Sequence, residues 1–190
     1  MEEDEPTQGV RVEHYKQKFV GVLFYIGYDY SGWQRQGQMG GSIPDTVQER
    51  LEEAVRLSIS NTLYISACAS GRTDAGTHAS GQVVHFIVAH PKSDMAAAQR
   101  EGSTTQEWTA YCSALMRTIN SNLPRDIRLM ELFHFPSHFA TLSQFHAKKA
   151  VVKKQYSYYI SQGGAFVPEW APFSIYLEDF GILHRCEVYV

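Results

Sequence analysis

From Phe19 to Tyr28 the chain is almost continuously apolar, rich in Val, Phe, Ile and Tyr, the pattern of a strand buried on both faces and lying mid-sheet. Thr46-Val47-Gln48-Glu49 then reads as a capping box, with Val47, Leu51, Ala54, Val55 and Ser58 on one helical face, which predicts a helix to about Ser60. Leu63 to Ala67 and Gln82 to Ala89 predict two strands. Trp108, Tyr111, Cys112, Leu115 and Ile119 return to helical spacing, and Asn122-Leu123-Pro124 ends that helix. Ile127 to Phe135 reads as the next strand.

The resulting order, βαββαβ, predicts an α+β fold: the split ferredoxin-like arrangement, with a mainly antiparallel sheet and both helices on one face. A further strand from Ala150 to Ile160 extends it, and the tail from Gly163 to Val190 reads as less regular. Pro91 to Thr104 has no periodicity and reads as a surface insertion. The expected divisions are an acidic disordered tail over 1–18, a ferredoxin-like domain carrying the candidate loop over 19–145, and the start of a second, incomplete domain over 146–190.

With 190 residues, 44% apolar and 19% charged, the chain has the composition of a globular protein able to bury a core. A formal charge of −3 argues against nucleic-acid binding through bulk positive charge. That average hides an asymmetry. Glu2, Glu3, Asp4 and Glu5 are negative, whereas Lys148, Lys149, Lys153 and Lys154 form a compact basic patch. Such a patch fits a phosphate backbone or a strand edge protected by lysines. Cys68, Cys112 and Cys186 are too widely spaced for a disulfide framework or a metal knuckle and point to a reducing compartment. No apolar run reaches membrane-spanning length and the N-terminus is unlike a presequence, so cytoplasm or nucleus is expected, with an organelle left open.

Three clusters carry candidate chemistry. In Gly71-Arg72-Thr73-Asp74-Ala75-Gly76-Thr77-His78, glycines let the backbone turn and a ligand approach, while Arg72 and Asp74 both project from a short loop. Asp74 suits a nucleophile or general base, with Arg72 as the cation that keeps it ionised; the alternatives are an aspartate that bonds its own turn and a structural ion pair. Tyr28 to Gln36 mixes aromatics with Gln34, Arg35 and Gln36, a combination suited to stacking on bases and reading their edges, unless Tyr28 and Trp33 pack in the core. Phe145 to Ile160 combines lysines with Tyr156 and Tyr158, which share a strand face and offer rings to a flipped base or to the core. His134 and His138, with Asp74, would make a metal hydrolase only on residue types, and they flank Pro136; no metal site is expected. Ser80 and His78 lack the surroundings of a nucleophilic relay.

The motifs Tyr28-xxx-Gly32-Trp33-Gln34-x-Gln36, Val47-Gln48-Glu49-x-Leu51-Glu52, the string from Gly71 to Phe86, Asn120-xx-Leu123-Pro124-x-Asp126-Ile127 and Phe145-His146-Ala147 resemble, in order and spacing, the TruA family of tRNA pseudouridine synthases over about residues 19 to 160. The resemblance implies an isomerase that needs no cofactor. Asp74 would be the nucleophile, attacking the target uridine at C6 of the base or C1′ of the ribose. Arg72 would serve the flipping of that uridine and Tyr156 would stack on it, with Thr73, Gly76, His78, Trp33, Gln34 and Lys148 as further substrate-binding positions. It also implies tRNA as partner, the anticodon stem-loop as target and a homodimer as the working form. Lys148 stands where the family has arginine, a point charge in place of a planar clamp. No late arginine-containing motif follows, which predicts a C-terminally short member or a fragment, with a non-catalytic RNA-binding or partner-binding role as the alternative.

Overall fold

The apolar run around Phe19 forms the strand from which the rest is built. In the computed structural model, which describes residues 14–37, 44–100, 102–135, 145–162, 175–177 and 182–189, β1 spans His14–Tyr25. It lies between β3 (Ala79–Pro91) and β4 (Ile127–Phe135), antiparallel to both. With β2 (Tyr64–Ala69) against β3, the sheet has the order β2-β3-β1-β4. β1 begins at His14 rather than Phe19 because its ladder with β3 continues to the pair His14↔Pro91. Residues 14–18 therefore belong to the sheet and not to a disordered tail; residues 1–13 lie outside the described residues.

Helix α1 (Val47–Ser58) joins β1 to β2, and α3 (Thr105–Asn122) stands between β3 and β4. Their apolar stripes, including Leu51, Val55, Trp108 and Ile119, enter one buried cluster with Phe19, Leu23 and Phe86. Phe19 is fully buried and stacks on Phe86 with ring centroids 5.2 Å apart. Phe19→Ala is expected to cost about 3–5 kcal/mol, read as a lowered urea midpoint.

The opposite face of β1 departs from the expected two-sided burial. Val20, Val22 and Phe24 are only half-buried, and Phe133, paired with Val20, is 55% exposed. Alternate residues of a strand point to opposite faces, and only one face receives the helices.

At α1, Thr46 accepts the Glu49 N–H at 3.4 Å. The reciprocal capping box, unnoticed in the sequence pattern, is at α3, where Thr104 and Glu107 exchange side-chain-to-backbone bonds. Thr104→Ala is expected to cost about 1 kcal/mol. The segment without periodicity also contains a short helix, α2 (Met95–Arg100). The Asp94 carboxylate accepts the Ala97 N–H at 3.0 Å and Gln17 of β1 donates to the Ala97 carbonyl at 3.3 Å. Alanine propensity plus a side-chain cap forms this turn without an amphipathic stripe.

β5 (Gln155–Gln162) does not extend the first sheet. It pairs in parallel with β6 (Ile175–Leu177) and antiparallel with β7 (Ile182–Tyr189), giving a second sheet of order β6-β5-β7 in the tail that reads as irregular. The chain is diverted before β5. Lys18 donates to the Phe145 carbonyl at 3.0 Å and the Ala147 N–H donates to His85 Nδ1 at 3.1 Å, so residues 145–147 cross the open face of the first sheet. A turn follows in which the His146 carbonyl accepts from Lys149 and Ala150, placing Lys148 and Lys149 on a turn instead of a strand edge. No helix among the described residues is long and apolar enough to cross a membrane.

Candidate active site

The loop between β2 and β3 is held mostly by the loop that follows β1. The Tyr25 and Thr73 hydroxyls are 2.8 Å apart, and the Thr73 carbonyl accepts from Trp33 N at 3.0 Å. Gly76 N donates to the Tyr30 carbonyl at 3.2 Å, and Gly27 N donates to His78 Nδ1 at 3.0 Å. Two glycines make the approach possible. A Cβ on Gly27 would lie 1.9 Å from the Thr77 carbonyl oxygen; Gly32 has φ +94° and a Cβ there would lie 2.7 Å from the Thr73 carbonyl oxygen.

The loop after β1 is fastened in its turn. The Tyr30 hydroxyl donates to Asp126 at 2.9 Å. Burial, reinforced by that carboxylate, pushes the hydroxyl well above the ordinary tyrosine range, so it stays a donor. Gln48 accepts the Arg35 N–H at 3.0 Å, while Glu52 pairs with Arg35 at 2.5 Å and accepts the Ala67 N–H at 2.8 Å. Asn120 meets both backbone groups of Leu129 at 2.8 Å. Motif residues with no obvious chemistry thus seat the loops; polar residues at motif positions on a helix were the available signal.

Against this frame of fastened residues, Asp74 and Arg72 are exposed. The Thr77 N–H goes to the backbone carbonyl of Asp74 at 3.1 Å. Among the described residues the Asp74 carboxylate takes part in no ion pair, and no hydrogen bond to its own turn is formed by its side chain. Arg72 and Asp74 are likewise not ion-paired, so the cation expected to hold the carboxylate stands apart from it.

Trp33 is 3% exposed, with its ring 6.4 Å from that of Tyr25. Trp33 thus packs in the core, the alternative that the sequence left open for it. Thr73 and His78 use the polar atoms just described to hold the loop. Gly76 has φ +77° and open space where a Cβ would stand. Gln34 and Lys148 are exposed and Tyr156 is half-buried, while Tyr158 is 47% exposed.

On the open face of the first sheet, His85, His146 and Cys68 bring ligand-type atoms within 4.8 Å of one another. Burial, aided by the nearby charges of His146 and Lys18, pushes His85 down to about 4. A neutral His85 accepting the Ala147 N–H at Nδ1 carries its proton on Nε2, and a protonated nitrogen is no metal ligand. The cluster is a fastening for residues 145–147. His134 lies on the other side, stacked on Trp108 with centroids 3.3 Å apart; His138 is outside the described residues. Because His85 is depressed in the folded state, its contribution to stability is complete above about pH 6.5. It is lost as pH falls towards 4, by up to about 3 kcal/mol. Burial lowers His90 in the same direction. Urea midpoints at pH 7.5 and 4.5 read the sum, and equal midpoints would contradict it.

The fold and site together describe an α+β protein that presents an exposed carboxylate from a backbone-clamped loop. No protein-family profile matches the chain. It is 32% identical over 147 residues to the tRNA pseudouridine synthase A of Ligilactobacillus salivarius, covering 77% of this chain and 46% of that protein. It is 35% identical over 136 residues to that of Klebsiella pneumoniae, covering 72% and 39%, and 31% identical over 152 residues to the tRNA pseudouridine synthase A 2 of Protochlamydia amoebophila, covering 80% and 47%. The chain thus spans less than half the length of these curated relatives. It belongs to the TruA family of tRNA pseudouridine synthases.

Proposed function

We propose that this chain isomerises uridine to pseudouridine in tRNA, in the anticodon stem-loop region, with Asp74 as the nucleophile. The observation that carries the reading is an exposed carboxylate on a loop whose neighbours are bonded on both sides while the carboxylate itself is not used by its own turn. Attack at C6 of the base or C1′ of the ribose leads to cleavage of the N1–C1′ bond. The uracil turns and C5 bonds to C1′, the bond to Asp74 breaks and returns the carboxylate, the C5 proton departs and N1 takes up a proton. Substrate and product contain the same atoms, so no cofactor enters the balance.

Arg72, exposed and unpaired with Asp74, fits a side chain that enters the base stack as the uridine leaves it. Tyr156 fits the ring that stacks on the extruded base. The strand order β2-β3-β1-β4, with α1 and α3 on one face, supports the ferredoxin-like reading of this part of the chain. The working form in this reading is a homodimer acting on tRNA in the cytoplasm or nucleus.

Tritium release from tRNA labelled at C5 of uridine tests the reading. Release by the purified chain is the expected result. Silence with tRNA still bound would favour the non-catalytic RNA-binding role.

A further inference from the structure

Lys154 precedes Tyr156 by two residues, and its side chain crosses the base of the Asp74 loop. A Cβ placed on Gly71 would lie 3.1 Å from the Lys154 amino nitrogen, 3.4 Å from its Cε and 3.8 Å from its Cδ. Gly71 is a fixed seat. Its carbonyl accepts from the Gln82 side chain, and the preceding Ser70 N–H bonds the Val83 carbonyl at 2.8 Å.

No acid holds the ammonium there. Among the described residues no carboxylate pairs with Lys154, or with Arg72, which follows Gly71. Lys154 is nevertheless half-buried, and ordering a lysine costs about 1.5–2 kcal/mol of rotamer freedom together with part of its hydration. A cation without an acidic partner among the described residues, seated at the glycine at the foot of the Asp74 loop, can take an anion. The Gly71 and Asp74 Cα atoms are at most about 11 Å apart by chain reach. An ammonium is a point charge with three donors and suits the oxygens of a phosphate.

We propose that Lys154 binds a backbone phosphate of the RNA beside the target uridine, and that Gly71 lacks a side chain so that the ammonium can reach this seat. The assignment rests on the tRNA reading above. Lys154 acts as a binding and positioning residue; it takes no part in bond making.

The test is tRNA binding by the whole chain over a series of salt concentrations, with Lys154→Met, Lys154→Gln and Lys154→Arg beside the unsubstituted protein. Methionine keeps an unbranched stem over Gly71 and removes the charge. The slope of log K against log salt should become shallower by about 0.7–0.9 in the Met and Gln variants, with unchanged thermal midpoints, and should be retained in the Arg variant. A role in packing alone would leave the slope where it was. Tight tRNA binding with the same slope in all four proteins overturns the assignment of Lys154 and leaves the tRNA reading standing. Absence of tRNA binding by the unsubstituted chain overturns both.

Discussion

Asp74→Asn is expected to reduce C5 tritium release by about 10⁴-fold or more, the scale of losing a covalent nucleophile, while tRNA affinity stays within about twofold. The amide keeps the shape of the carboxylate and removes its nucleophilic charge. The local turn is closed by the Thr77 N–H on the Asp74 backbone carbonyl, which the substitution leaves intact. Stability should therefore change by less than about 0.5 kcal/mol, as for exposed positions in general. A structural aspartate would behave in the opposite way, costing about 1 kcal/mol or more of stability and leaving turnover alone. Urea unfolding and tritium release on the same sample separate the two outcomes, and turnover equal to that of the unsubstituted chain would sink Asp74 as the nucleophile.

Gly27→Ala should damage the site without touching its chemistry. Its Cβ would be 1.9 Å from the Thr77 carbonyl oxygen, and that obstacle is backbone, so the two loops must part. The Gly27 bond to His78 is lost with the approach, at a cost of roughly 2–4 kcal/mol in stability. A displacement of about 1 Å at the Asp74 loop is expected to lower kcat about 100-fold. Gly76→Ala is the contrasting case. It meets no atom within 4 Å and carries only the cost of a positive φ, about 1–2 kcal/mol. Loss of amide-exchange protection at Gly27 and Trp33 in the first variant, with protection kept in the second, would tie the effect to loop seating; equal behaviour of the two variants would contradict it.

The elements closest to the sequence expectation are those set by local periodicity and its punctuation. β4 spans Ile127–Phe135 as read, and α3 ends at Asn122, just before Leu123-Pro124. The elements that escaped have no such signature. α2 depends on a cap from Asp94 and a bond from distant Gln17, and β7 exists through its ladder with β5. The candidate loop was legible because its residue types are unusual together. The contacts that seat it were less legible: Thr73 and His78 bond the loop after β1, where Trp33 is buried, and nothing local in the sequence marks these long-range partners.

Order along the chain was enough to name the strands and helices of the first sheet and to mark the stretch from Gly71 to Phe86, through its resemblance to a family motif, as the candidate for chemistry. Spacing over a few residues encodes all of these. Which face of β1 is buried, which sheet receives β5, and which polar residues clamp the Asp74 loop were decided only when the chain closed on itself. Tyr25 meets Thr73, Gly27 meets His78, and His85 meets Ala147. Each of these pairs joins residues far apart along the chain, and a local pattern holds no record of which distant donor a given acceptor will face.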